Sequence, residues 1–278
     1  MPCSLGVIGL GRMAQAILLP LFERGELNPS EVFGVVGHQK SIQQVKDQLP
    51  RGVKVFSAND PISIEVWEAP VTLLAVKPQQ LEKVEQAWSQ IKTPDFSSRP
   101  LLISLLAGVQ LERLANIFPR HVCVRAVPNT PVLVRAGLTG LACSENLDSD
   151  QQLWLNKIFD PISEVLNLPE EQLDAFLALT SSGPAYIALM AEALADGAVA
   201  AGLPRSMAQH LACRTLFGTS LLLKEKDLHP SQLKDMVASP GGTTITALRH
   251  LEKAGIRSAL MEAVVVAAER SRELAELS

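Results

Sequence analysis

Along the first half of the chain, short unbroken apolar runs alternate with longer stretches in which apolar residues recur every three or four positions. The runs are LGVIGL (5–10), VFGVV (32–36), VTLLAV (71–76), LLISLLAG (101–108) and CVRAVP (123–128). A strand apolar at every position has both faces covered, as strands inside a parallel sheet do. Between the runs, Met13 to Glu23, Ile42 to Leu49, Leu81 to Ile91 and Leu111 to Phe118 have the length and period of helices. The alternation predicts a doubly wound α/β domain reaching to about Cys143. Past Asp150 no strand pattern is read: 151–168 look helical, 170–200 form a long Ala-rich helical region interrupted near Ser181 to Pro184, and 205–225 and 256–276 continue as helices. An all-α domain therefore follows, with the boundary near Leu168.

The first run passes straight into Gly9-Leu10-Gly11-Arg12-Met13-Ala14, so Gly9, Gly11 and Ala14 spell G-x-G-x-x-A between a strand and a helix. The glycines permit a tight turn and close approach of the backbone to a pyrophosphate, Ala14 lets the helix pack on the strand, and the helix start faces the phosphates. In that context the motif is the dinucleotide fingerprint of a Rossmann-type domain. The end of the second run separates the cofactors, since an acid there would bind a ribose 2′-hydroxyl. Here the chain reads Gly37-His38-Gln39-Lys40-Ser41, with no acid, and Lys40 beside the donors His38, Gln39 and Ser41 favours a 2′-phosphate. NADPH is the expected cofactor, with NADH as the alternative.

A second stretch also asks for a ligand. Residues 238–255, ASPGGTTITALRHLEKAG, contain a helix with Ile245, Leu248 and Leu251 on one face, Arg249, Glu252 and Lys253 turned outward, and Gly255 as its stop. One Ser or Thr is enough to cap a helix, yet Ser239, Gly241, Gly242, Thr243 and Thr244 crowd this start. Two glycines let backbone approach a ligand, and free amides at a helix start attract anions. A small carboxylate or phosphate fits; on these residues alone, an elaborate N-cap fits too.

Composition removes several classes of function. The 278 residues, 47% hydrophobic and 19% charged, suit two well-cored domains, and a formal net charge of -4 without a Lys/Arg cluster argues against nucleic acid and anionic membranes as partners. The most apolar long stretch, Ala185 to Leu203, contains Glu192 and Asp196, so no membrane span is expected, and the N-terminus lacks the pattern of a signal peptide. Cys3, Cys123, Cys143 and Cys213 are far apart, with no C-x-x-C pair; reduced thiols, a cytoplasmic location and no zinc site are the expectation. The five histidines show no metal spacing, and His210, His229 and His250 read as helix-surface or cap residues. Ala188, Ala191, Ala195 and Ala198 would let helices pack closely, either in an intertwined dimer or in a plain bundle core.

Taken in order, GLGRMA (9–14), Asn59 ahead of the run at 71–76, AVKP (75–78), AGV (107–109), RAVPNTP (125–131), SGPAY (182–186), EALADGAVAAGLPR (192–205) and HPSQLKDMVASPGGTT (229–244) resemble the pyrroline-5-carboxylate reductases over nearly the whole chain. The N-terminal motifs occur in many dehydrogenases; SPGGTT after HPSQLKD singles out this family. The resemblance implies NAD(P)H reduction of the cyclic imine 1-pyrroline-5-carboxylate to L-proline. It implies an NAD(P)-binding Rossmann domain over 1–168 and a helical dimerisation and substrate-binding domain over 169–278. Cofactor contacts would come from Gly9, Leu10, Gly11, Arg12 and Met13, from His38, Lys40 and Ser41, from Asn59, and from Ala75, Val76, Lys77 and Pro78, with Ala107 and Asn129 near the nicotinamide. The substrate carboxylate would be held by the loop Ser239 to Thr244, through Ser239, Gly241, Gly242 and Thr243, with the Thr244 hydroxyl, the catalytic candidate, reaching the ring nitrogen. A homodimer, or a decamer built from dimers, would pair the helical domain of one protomer with the nucleotide domain of its partner. Arg12 stands in place of a frequent Asn, Leu105-Leu106 in place of smaller residues, and Thr180-Ser181 in place of Ser-Gly. The family's common arginine is missing from the 2′-phosphate segment.

Imine reduction asks little acid chemistry of a protein, because a protonated C=N is already electrophilic and the hydride comes from the cofactor. Positioning is the task, and a hydroxyl such as Thr244 can orient or protonate the nitrogen. Lys77 reads equally as a ribose contact or a structural ion pair. A β-hydroxyacid dehydrogenase would need a lysine on its interdomain helix, and there is none between Lys157 and Lys224. A noncatalytic NADP-binding scaffold would have no use for Ser239, Gly241, Gly242 and Thr244 together.

Overall fold

The computed structural model describes residues 4–91 and 98–276, so Cys3 lies outside it. Strands β1 (Leu5–Ile8), β2 (Val32–Val36), β3 (Lys54–Ser57), β4 (Val71–Leu74), β5 (Leu101–Ser104), β6 (Val122–Pro128), β7 (Gly137–Cys143) and β8 (Ser163–Asn167) form one sheet in the order β3-β2-β1-β4-β5-β6-β7-β8. Pairing is parallel from β3 through β6, antiparallel between β6 and β7, and parallel again between β7 and β8. The helices over this part are α1 (Arg12–Glu23), α2 (Ser41–Gln48), α3 (Leu81–Ser89), α4 (Leu111–Ile117), α5 (Ser149–Phe159) and α6 (Leu173–Thr180).

The unbroken apolar runs have their explanation in two cores. Val7, Val36, Leu73, Ile103 and Val124 belong to one cluster with Ile17, Leu18 and Leu21 of α1 and Leu155, Ile158 and Phe159 of α5. Ile8, Phe33, Leu74, Leu102 and Cys123 belong to the other, with Leu81 of α3, Leu114 of α4 and Trp67 from the 3-10 segment Pro61–Glu68. Successive residues of a strand face opposite sides, so both must be apolar, each fully buried Leu or Ile contributing roughly 1.5–3 kcal/mol.

Three strands depart from the sequence reading. β3 has only four residues and follows a turn at Gly52. β7 reads GLTGLAC, and its glycines weaken a strand pattern; both are set by packing, since a Cβ on Gly140 would lie 2.9 Å from the Phe176 ring and one on Gly137 would lie 2.3 Å from Val132 Cγ1. β8 corrects the expectation of a helix over 151–168: α5 stops at Phe159, Pro161 offers no N–H to prolong it, and Ser163–Asn167 joins the sheet beside β7. Its exposed and half-buried side chains gave no apolar run to read.

The chain divides into two compact units, Met1–Ser181 with Ala267–Ser278, and Ser182–Val266. The second holds α7 (Gly183–Ala200), α8 (Arg205–Glu225), α9 (Pro230–Val237), α10 (Thr243–Lys253) and the first part of α11 (Ile256–Glu276). Its buried cluster consists of Ala195, Ala208 and Ala212, with Ala198 and Val199 packed against it, while Ala188 is exposed. Tyr186 Oη donates to the Ala263 carbonyl at 3.2 Å and ties α7 to α11. Large apolar side chains, among them Leu189, Phe217, Met236, Met261 and Val265, are exposed on these helices. The helical stretch 170–200 is long and apolar enough by composition to cross a membrane. It is nevertheless broken between α6 and α7 and carries Glu192 and Asp196.

Candidate active site

All the parallel strands point their carboxyl ends the same way, and the order reverses between β1 and β4, which is where a doubly wound sheet opens a ligand crevice. The expected cofactor residues gather along this edge. Gly9 follows β1 at φ +95, and a Cβ there would meet the Ala75 carbonyl oxygen at 2.7 Å and Val76 N at 2.8 Å. The turns after β1 and β4 thus touch through bare backbone, a closeness that only glycine allows. Gly11 is different. It caps α1 with φ -77, a conformation open to any residue, and an added Cβ would meet nothing within 4 Å. Among the described residues nothing requires a glycine there, whereas a pyrophosphate brought against the backbone would. The first amides of α1 also lack a side-chain cap, leaving donors for an anion. On both counts the loop fits a dinucleotide.

Other positions along the edge fall into two groups. Arg12, His38, Lys40, Asn59, Lys77 and Ala107 are exposed, and Ser41, Val76 and Pro78 are half-buried. Lys40 stands at the start of α2, and Lys77, for which no ion pair is found among the described residues, has its N–H bound to Gln80 Oε1 at 3.3 Å. Asn59 follows the C-terminal end of β3, the strand missed in the sequence. The side chains of Leu10, Met13 and Asn129 pack or bond within the protein. Leu10 is buried so close to β2 that a Cβ on Gly34 would lie 2.3 Å from it, and Met13 packs against the core. Asn129 is 5% exposed; its amide nitrogen donates to the Thr180 carbonyl at 3.0 Å and its oxygen accepts from Leu138 N at 2.8 Å. That side chain joins β6 to α6 and β7. Gln15, absent from the sequence candidates, donates to the Leu10 carbonyl at 2.9 Å and braces the glycine loop; an ordinary glutamine on an amphipathic helix carries no signal of this.

The second candidate lies in the helical unit. Between α9 and α10 the chain turns at Gly241, φ +68, and Gly242 N donates to the Ser239 carbonyl at 3.0 Å. Gly242 caps α10 with no side-chain hydrogen bond, although Ser239, Thr243 and Thr244 all stand beside the helix start. The hydroxyl-rich loop is therefore not an elaborate cap. A Cβ on Gly242 would lie 2.4 Å from Ser239 Oγ, so the glycine also makes room for that hydroxyl. Ser239 and Thr243 are exposed and Thr244 is half-buried. By contrast, α9 is capped by His229 Nδ1, which accepts from Ser231 N at 3.3 Å, the role read for it in the sequence. Among the described residues no cluster of three His, Cys, Asp or Glu is placed to hold a metal ion.

Residues 4–108 match the model of a family described as NADP oxidoreductase, coenzyme F420-dependent, and residues 170–274 match the model of pyrroline-5-carboxylate reductase dimerisation. A pyrroline-5-carboxylate reductase of Synechocystis sp. is 45% identical over 275 residues, 99% of each chain. The chain belongs to the pyrroline-5-carboxylate reductase family. A solved pyrroline-5-carboxylate reductase from Coxiella burnetii superposes with a TM-score of 0.82 at 32% identity, covering 99% of both chains. The Plasmodium falciparum pyrroline carboxylate reductase, solved with NADP bound, gives 0.83 at 27% identity over 98% of both. The expected enzyme class, an NAD(P)H-dependent pyrroline-5-carboxylate reductase with a Rossmann-like sheet ahead of a helical dimerisation region, stands on these matches.

Proposed function

We propose that this chain reduces 1-pyrroline-5-carboxylate to L-proline with NADPH as the preferred donor, gripping the substrate carboxylate at the start of α10. The uncapped N-terminus of α10 supports the reading most. Its first-turn amides have no intrahelical partner and no side-chain cap, and an anion at such a site gains about 0.3–1 kcal/mol, up to about 2 when partly buried. Ser239 and Thr243 add hydroxyls around the same anion. Thr244, one residue into the helix, keeps its hydroxyl for the ring nitrogen, which it orients or protonates.

When bound, NADPH supplies the hydride. The chain's part is to place it: the Gly9–Met13 loop and the α1 amides hold the pyrophosphate, Lys40 with His38 and Ser41 meets the 2′-phosphate, Asn59 and Ala75–Pro78 line the nucleotide, and Ala107 stands at the nicotinamide end. Asn129 acts there by fixing the end of β6. The working unit is a homodimer, alone or as the building block of a decamer, and the exposed apolar side chains of the helical unit support that assembly. A cytoplasmic location accords with free Cys123, Cys143 and Cys213, burial pushing the Cys123 thiol up to about 12.

The test follows NADPH absorbance with pyrroline-5-carboxylate and then with its six-membered homologue. Turnover of the first is expected. A folded dimer that binds NADPH but turns over neither compound would overturn the proposal.

A further inference from the structure

The last part of α11, from Ala267 on, belongs to the same compact unit as the sheet. Two of its contacts there stand out. Ser271, 5% exposed, donates its hydroxyl to Asp174 Oδ1 at 2.6 Å. The turn after β5 approaches the helix backbone so closely that a Cβ on Gly108 would lie 3.0 Å from Ala275 N and 3.1 Å from the Leu274 carbonyl carbon. Gly108 also adopts φ +74, so both its conformation and its neighbour call for glycine. Asp174 lies in the first turn of α6, the helix whose last residue, Thr180, accepts the Asn129 amide.

Leu106 and Val109 are buried on either side of the turn, and Leu106 N donates to Ser104 Oγ at 3.3 Å, but Ala107 is exposed and Gly108 has no side chain to anchor. The backbone of the α11 tail lies against Gly108. We infer that Ser271 and Gly108 are positioning residues: the tail of α11 is a strut that holds the Ala107–Gly108 turn in place, with Ser271 as its clamp and Gly108 as its seat. This rests on the proposed reading that Ala107 stands beside the nicotinamide. Hydride transfer requires reacting atoms in near-attack geometry, and a misplacement of about 1 Å from a remote change costs about 10²-fold. Loosening the strut should cost part of that.

The test uses full-length Ser271→Ala, with Asp174→Asn as the conservative partner, because an amide oxygen still accepts the Ser271 hydroxyl. Hydrogen exchange is read on peptides spanning 104–112 and 267–276 without cofactor, together with kcat and the Kd for 2′,5′-ADP, which probes the nucleotide end alone. In Ser271→Ala both peptides should exchange several-fold faster and kcat should fall roughly 10-fold, while 2′,5′-ADP binding and the far-ultraviolet spectrum stay unchanged; Asp174→Asn should stay near wild type. Gly108→Ala, which pushes on the same contact from the other side, should deprotect the same two peptides. Faster exchange confined to 267–276 overturns the strut, as does equal loss of 2′,5′-ADP binding, which would mark general damage. Faster exchange of 104–112 with kcat unchanged supports the mechanical contact and refutes the placement of Ala107 at the nicotinamide.

Discussion

His121 is 1% exposed, and among the described residues neither ring nitrogen has a hydrogen-bond partner. It sits among Trp88, Phe118 and Trp67 at ring-centroid distances of 5.0, 5.9 and 6.1 Å, while Arg99 donates to its carbonyl at 2.6 Å and pairs with Glu145. Burial, and then the Arg99 charge, lower its pKa from 6.5 to about 4. In the unfolded chain the imidazole takes its proton near 6.5, so between there and about 4 the unfolded state binds the extra proton and the folded state does not. The contribution to stability is complete above pH 6.5 and is lost as the pH falls toward 4. At about 1.4 kcal/mol per pH unit the whole gap is worth about 3 kcal/mol, most of it lost by pH 4.5. His121→Leu removes the titrating ring and the two orphan nitrogens while filling a similar volume. Urea unfolding at pH 8 and pH 4.5, followed through the fluorescence of neighbouring Trp67 and Trp88, gives the comparison, and carboxylates common to both proteins cancel in the difference. The stability difference should move by roughly 2.5 kcal/mol in favour of the variant between the two pH values. Parallel pH profiles for the two proteins would refute a neutral buried His121.

Three further outcomes follow from the candidate site. Lys40→Ala should raise the KM for NADPH and leave that for NADH nearly unchanged, measured by initial rates; equal losses with both would place Lys40 away from the 2′-phosphate. Thr244→Ala should lower kcat about 10²-fold with NADPH binding intact, and Thr244→Ser should be far milder; a fully active alanine variant removes the role given to the hydroxyl. A site assembled from two protomers predicts complementation: Gly11→Asp mixed and re-paired with a Gly242→Leu, Thr244→Ala chain should recover roughly one quarter of wild-type activity, since about half the dimers are hybrid with one intact site of two. No recovery in hybrids verified by mass spectrometry contradicts shared sites.

The parallel core was legible in the sequence because strands covered on both faces must be apolar throughout, and VFGVV at 32–36 matches β2 residue for residue. The glycine loop was legible because its backbone demands leave few residues to choose from. β7 and β8 were hidden, the first by glycines that packing against Phe176 and Val132 requires, the second by its place at the sheet edge with partly exposed side chains. The sequence names Asn129 as a cofactor-site candidate, but its side-chain partners, Thr180 and Leu138, lie 51 and 9 positions away and no local pattern encodes them. The same distance in sequence concealed Ser271 and Asp174, 97 residues apart. The capping question at SPGGTT needed coordinates, because whether a nearby hydroxyl bonds the first turn is a matter of geometry that residue types leave open.

A helical unit whose buried cluster is three alanines, with Leu189, Phe217, Met261 and Val265 open to solvent, cannot draw much stability from its own interior. Its melting behaviour should then obey mass action: each tenfold dilution withdraws about 1.4 kcal/mol per mole of dimer, and the transition temperature falls with the logarithm of protein concentration. The sheet, with its two complete cores, carries no such dependence. At low abundance, as when synthesis has only begun, proteolysis should strike the helices of an unpaired chain first and spare the sheet, so the concentration of the enzyme itself sets how long its newest copies survive.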